Sequence, residues 1–173
     1  MGKEKFLTIY VVGPGWATIH YSGILDFTRL HLDLRKWFKE HKYYFVEKNM
    51  TEKLIGYGKE EVEFEWTADR KIDDYVRFYI EVHFKIHRLV DVLIEENGKK
   101  VRRQRGDFFI RFKSYFKKNY NKTFSKQPIS NFARELYEKY LIKRRLLNYE
   151  GKLWAETNDL IDHAKDTLHI LKR

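Results

Sequence analysis

The chain is 173 residues long with 43% hydrophobic and 17% aromatic residues, enough apolar material for one well-buried domain and too much for a disordered one. It contains no cysteine, which excludes disulfides, thiol catalysis and cysteinyl metal sites and favours an intracellular, cytoplasmic setting. The formal net charge is +10, and its distribution is more informative than its size.

Residues 6–12 alternate weakly and predict a strand, Gly13-Pro14-Gly15 predicts a turn, and Trp16–Tyr21 a second strand, so a hairpin is expected to open the chain. Pro14 interrupts the short apolar run FLTIYVVG, which lacks a cleavage pattern and so does not read as a signal peptide. No run approaches the roughly 18 apolar residues of a membrane span. The sequons at Asn49 and Asn121 read as chance in such a chain. Asp26 is a natural N-cap, and Phe27, Leu30, Leu34, Trp37, Phe38 and His41 then recur at helical spacing.

A β region follows. Tyr44–Leu54 reads as a strand, with a turn at Gly56-Tyr57-Gly58. In the next strand Val62, Phe64, Trp66 and Ala68 share one face, and Glu61, Glu63, Glu65 and Thr67 the other. Val76 to Ile86 repeats that alternation, with Arg77, Tyr79, Glu81, His83, Lys85 and His87 outward. Strict period-2 patterning means one face on a core and one in water. A turn near Lys71–Asp74 would set Asp69 opposite Arg77, Glu63 opposite His83, Glu61 opposite Lys85 and Trp66 opposite Ile80. Val90–Ile94 continues as strand, Asn97-Gly98 turns, Val101–Arg105 returns, and Gly106-Asp107 reads as a bulge before a last strand whose core face is Phe108, Ile110, Phe112 and Phe116.

Pro128 and Ser130 introduce helices. Phe132, Leu136, Tyr137, Tyr140, Leu141 and Leu147 form one apolar face, a break is expected at Asn148–Gly151, and residues 153–171 form the cleanest helix. The expected fold is a single α+β domain over 1–173. A curved antiparallel meander and first helix occupy 1–126, and long C-terminal helices over 128–173 pack on one face. This order of elements is similar to the helix-grip order of START and Bet v1-like proteins. That resemblance implies a final helix held by the sheet around an apolar cavity, and hence binding of an apolar small molecule or lipid bordered by residues such as Trp66 and Phe84.

Lys99–Lys126 carries the strongest functional signal. It holds eleven Lys/Arg and one acid, so it accounts for the whole net charge, and the rest of the chain balances to zero. Localised positive charge attracts polyanions through release of their condensed counterions. Phe109, Arg111, Lys113, Tyr115 and Lys117 fall on one strand face, where rings stack on unpaired bases and cations track phosphates. With Lys99, Lys100, Arg102, Arg103, Arg105 and Lys118 they make the expected interface of a non-catalytic module for RNA or single-stranded DNA, with the three arginines on an exposed arm. Solubilising an edge hairpin is the plainer role of such cations.

Other constellations carry less. His83 and His87 share a strand face at about 13 Å, too far apart to bind one metal unaided. Glu156, Asp159, His163 and Asp166 line one side of the last helix without a metal-binding motif, which reads as a solvated face. The glycine-rich turns match no phosphate-binding fingerprint, Ser22-Gly23 is no nucleophile elbow, and no catalytic, metal or cofactor residue is indicated. An assembly role would use Leu160, Leu168 and Leu171 for a homo-oligomer.

Overall fold

A computed structural model describes residues 8–54, 60–96, 98–121 and 128–168. Five antiparallel strands form one open sheet in the order β1-β5-β4-β3-β2, with β1 Thr8–Leu25, β2 Tyr44–Leu54, β3 Glu60–Lys71, β4 Val76–Glu96 and β5 Lys99–Lys118. The chain starts on one edge and crosses through helix α1 (Phe27–Glu40) to the other. It then meanders back until β5 pairs with β1. Helices α2 (Pro128–Leu136) and α3 (Lys143–Thr167) follow, joined by a π-helical turn over Tyr137–Leu141. This is the α+β class expected from the sequence, with first helix, antiparallel meander and C-terminal helices in the expected order. The expected turn at Gly56–Gly58 lies outside the described residues.

The alternation on β3, β4 and β5 produces a core on one side only. Val62, Phe64, Trp66, Phe78, Ile80, Val82, Phe84, Phe108, Ile110, Phe112 and Phe116 are all buried. Against them pack Leu30, Leu34, Trp37 and Phe38 of α1 and Leu153, Leu160, Ile161 and Ala164 of α3. Asp26 caps α1 by accepting from Arg29 N at 2.9 Å, as its residue type predicts. Trp66 and Phe84 pack ring against ring: their centroids lie 4.7 Å apart, and Phe64 stacks on Phe84 at 4.5 Å. The aromatic excess fills the core there, so no observation favours the apolar-ligand reading.

Several elements differ from expectation. Residues 8–25 form one strand rather than a hairpin, because both halves pair with β5. The register jumps from Val12↔Ser114 to Ala17↔Phe112, so the Gly13-Pro14-Gly15 segment is an outsized bulge. Pro14 is tolerated because β1 is an edge strand. The β3–β4 register is two residues away from the expected one, with Trp66 opposite Val82 and Ala68 opposite Ile80. Asp73 causes this: its carboxylate accepts from the amides of Tyr75 and Val76 at 2.7 and 2.6 Å and moves the turn forward. The expected charge pairs still form, now as diagonals: Arg77–Asp69 at 3.0 Å, His83–Glu63 at 2.7 Å and Lys85–Glu61 at 3.5 Å. The bulge foreseen at Gly106-Asp107 sits instead on the facing strand, where Arg88 has φ 57°. Gly106 lies opposite, and a Cβ there would come within 3.0 Å of the His87 carbonyl.

Helix α3 runs unbroken through Asn148–Gly151, and the interruption falls earlier, at Ile142. Ile142, and partly Tyr137, Leu146 and Tyr149, reach the core. Phe132, Leu136, Tyr140, Leu141 and Leu147 stay exposed, so their apolar face covers nothing in the described structure. The π-turn is held by Glu138, which accepts from Tyr75 Oη at 2.5 Å and pairs with Lys118. Leu160 and Leu168 are buried in the protein's own core, which occupies the face assigned to self-association, while Leu171 lies outside the described residues.

Candidate nucleic-acid interface

Because the core and helices take the inner side of the sheet, no layer of the described residues covers the outer side. The odd-numbered residues of β5 point there: Phe109, Arg111, Lys113, Tyr115 and Lys117, the set the alternation assigns to one face. Cross-strand pairing brings Tyr10 of β1 and Tyr79 of β4 to either side of Tyr115. Tyr79 stacks on Tyr115 at 5.1 Å and 9°, and Tyr10 meets it at 5.5 Å. Lys117 Nζ lies 5.0 Å from the Tyr79 ring, and Lys113 Nζ 5.2 Å from that of Tyr115. Farther along, His20 stacks on Phe109 at 4.3 Å and His87 meets its edge at 5.7 Å. Tyr10, Tyr79 and His20 were missed by sequence reasoning. Tyr79 was legible as outward, but nothing local to Tyr10 or His20 announces that β1 pairs with β5.

Five of the nine cations of the expected interface are already committed within the protein. Lys113 Nζ donates to Glu81 at 2.5 Å, and Tyr115 Oη donates to the other oxygen of that carboxylate at 2.7 Å. Burial first, then this bond, pushes the Tyr115 hydroxyl well above the usual tyrosine range. Arg111 Nη2 lies 2.6 Å from His83 Nδ1. Lys118 faces the helices, not the open face, and is held by Glu138. That follows from its even position beside Phe116, and it removes Lys118 from any outer-face interface.

The arm beyond the bulge is a two-stranded ribbon in which Val90–Glu96 pairs with Lys99–Arg105. Its β4 half contributes Asp91, Glu95 and Glu96, which the charge of β5 taken alone conceals. Arg102 pairs with Asp91, holding that carboxyl below the usual aspartate range. Arg103 pairs with Glu96 at 2.7 Å and with the α1 cap Asp26 at 3.3 Å, so it ties ribbon to helix. Among the described residues Lys99, Lys100, Arg105 and Lys117 have no carboxylate partner. Where ribbon meets sheet, Asp107 accepts from Ser22 Oγ at 2.5 Å and pairs with Arg88, and these contacts hold its carboxyl below the usual range.

His83 and His87 each take a separate glutamate, Glu63 at 2.7 Å and Glu61 at 2.9 Å, and no cluster of metal-ligating side chains occurs among the described residues. The carboxylates of α3 serve the fold: Glu156 holds Arg70 and Tyr43, and Asp159 accepts from Trp37 Nε1 at 2.7 Å. No helix among the described residues is long and apolar enough to cross a membrane. Comparison with protein-family models, with curated proteins and with solved structures finds no match.

Proposed function

We propose that the protein is a binding module for RNA or single-stranded DNA, held on the outer face of β5 and its neighbours. The observation that carries this reading is the ladder in which Tyr10 and Tyr79 flank the buried Tyr115 across three strands, with Lys117 and Lys113 over their rings. Stacking platforms next to cations suit unpaired bases and their phosphates without requiring a sequence code. Lys99, Lys100, Arg105 and Lys117 supply the phosphate contacts, while Arg103 and Lys118 act in the fold. Arg102, Arg111 and Lys113 stand between these groups, because each gives up an internal partner when it takes a phosphate.

Fluorescence anisotropy with a labelled oligouridylate at several salt concentrations tests the proposal. Binding should weaken as salt rises, with a log–log slope of about −0.7 per phosphate neutralised. Arg105→Gln with Lys117→Gln should flatten that slope by about two such contacts, and Tyr79→Ala should weaken binding about tenfold or more at constant slope. Absence of binding at low salt, or binding indifferent to salt, overturns the reading.

A further inference from the structure

At the sheet edge farthest from β1, an open cleft of about 420 Å³ is lined by Arg35, Lys36, Lys39, Lys42, Tyr43, Tyr44 and Phe45. Among the described residues four cations and three rings line it, and no carboxylate does. Lys36 reaches Glu40 at 3.7 Å, and Arg35 lies over the Phe45 ring at 5.5 Å. The Tyr44 ring stands 70% exposed beside them.

The end of α1 explains how an anion is tolerated where helix carbonyls ordinarily repel it. Lys42 N donates to Lys39 O at 3.0 Å and Tyr43 N to Phe38 O at 2.9 Å, the paired bonds of a Schellman cap. His41 N takes Trp37 O at 3.0 Å, and Arg70 Nη1 takes His41 O at 2.7 Å. These carbonyls are satisfied from within, so the lysines set the local field. Lys42 occupies the cap position that requires a left-handed backbone, with φ 59°, where glycine is the favoured residue. A lysine kept there costs stability and places its ammonium at the cleft. Strain of this kind collects at functional positions.

The geometry points to a second ligand site in this cleft, for a phosphate monoester carrying an aromatic base, a nucleoside monophosphate. The phosphate would lie among Arg35, Lys39 and Lys42, and the base on Tyr44. The volume falls within the range of small-molecule sites. The site does not rest on the nucleic-acid reading above. The outward acids of β3, namely Glu61, Glu63, Glu65 and Asp69, separate it from the cations of β5.

The test is calorimetric titration of the whole protein with adenosine 5′-monophosphate, with ribose 5-phosphate as the base-free control. Saturable binding of the nucleotide is expected, tighter than that of the control. Lys42→Gly should weaken nucleotide binding about tenfold, as one charge-assisted contact is lost. The same variant should raise Tm by about 2–4 °C, as backbone strain is relieved. Tyr44→Ala should weaken the nucleotide and leave ribose 5-phosphate unchanged. Absence of saturable nucleotide binding up to about 10 mM at low salt overturns the site. So does a Lys42→Gly variant that binds as before or melts lower. Oligouridylate affinity should be unchanged in Lys42→Gly, and a parallel loss there overturns the separation of the two sites.

Discussion

Arg70 and Glu156 give the sharpest test of how the helical layer is fastened to the sheet. Arg70 Nη2 lies 2.7 Å from both carboxylate oxygens, Nη1 donates to the His41 carbonyl at 2.7 Å, and the guanidinium stands 4.5 Å over the Tyr43 ring. Tyr43 Oη donates to the same carboxylate at 2.7 Å, and burial pushes its hydroxyl well above the usual tyrosine range. The two side chains are only 16% and 14% exposed, so solvent screens them little. Glu156→Leu leaves a largely buried guanidinium without a carboxylate, and Arg70→Met leaves the carboxylate with only the tyrosine. Each should cost about 3–5 kcal/mol, a fall in Tm of about 6–20 °C for a chain of this size. The double variant removes both charges and leaves only the Tyr43 hydroxyl and the His41 carbonyl unmet, about 1–3 kcal/mol each. Arg70 Nε is buried without a hydrogen-bond partner among the described residues, so the native pair already carries one unmet donor. Urea unfolding of the four proteins gives the coupling energy, expected to be at least about 2 kcal/mol. Two single losses under about 1 kcal/mol that simply add would refute the idea that this pair clamps α1, β3 and α3 together.

Two further outcomes are expected. The Asp107 carboxyl is held down first by the Ser22 hydroxyl and then by Arg88, so its contribution to stability is complete above the ordinary aspartate value of 3.8 and is lost as pH falls below it. Carboxyl NMR titration should place Asp107 under that value and find it raised in Ser22→Ala, and an unmoved titration would remove the hydroxyl as cause. Arg102→Gln should change stability by less than about 0.5 kcal/mol, because its pair with Asp91 is exposed, whereas Arg103→Gln should cost about 1 kcal/mol by freeing Asp26 and Glu96. Equal effects in thermal melts would contradict that distinction.

Alternation made most of the sheet legible. From Glu61 to Ile86 every residue assigned inward is buried and every outward one is more exposed, because a period of two leaves no third choice. Charge complementarity found true partners, yet not the register, since long side chains satisfy a diagonal as well as a direct pairing. The residue that decided the register was Asp73, through two amide bonds inside its own turn. Carrying the alternation two residues past Phe116 would have placed Lys118 inward. The partner of β1 was illegible, because Gly13-Pro14-Gly15 has the local chemistry of a turn and only the distant strand β5 makes it a bulge. The unbroken course of α3 through Gly151 has the same origin, with Ile142 and Leu153 anchored in the core on either side. Tertiary burial outweighs the roughly 1 kcal/mol that a glycine costs within a helix.

Localised charge in a sequence becomes a gradient once the strands are side by side. On the open face β5 presents Arg111, Lys113 and Lys117, β4 alternates Arg77, Glu81 and Lys85, and β3 presents Glu61, Glu63, Glu65 and Asp69. A polyanion crossing the strands would meet the acidic column of β3 within two strand spacings, about 10 Å from β5 and little more than a Debye length in ordinary salt. A polyanion running along β5 would pass Lys117, Lys113, Arg111 and Arg105, and at the ribbon tip would meet Lys99 and Lys100 with Glu96 and Glu95 of β4 opposite them. At roughly 3.3 Å per residue the Arg105–Lys117 span alone is about 40 Å, compatible with the 4–16 nucleotides of known single-strand sites. Glu81 neutralises Lys113 and fixes the Tyr115 hydroxyl, so the ring ladder is held in place by the protein's own contacts. If bases stack there as proposed, pre-ordered rings would lose little entropy, and the exposed lysines at either end would supply attraction without having to be held.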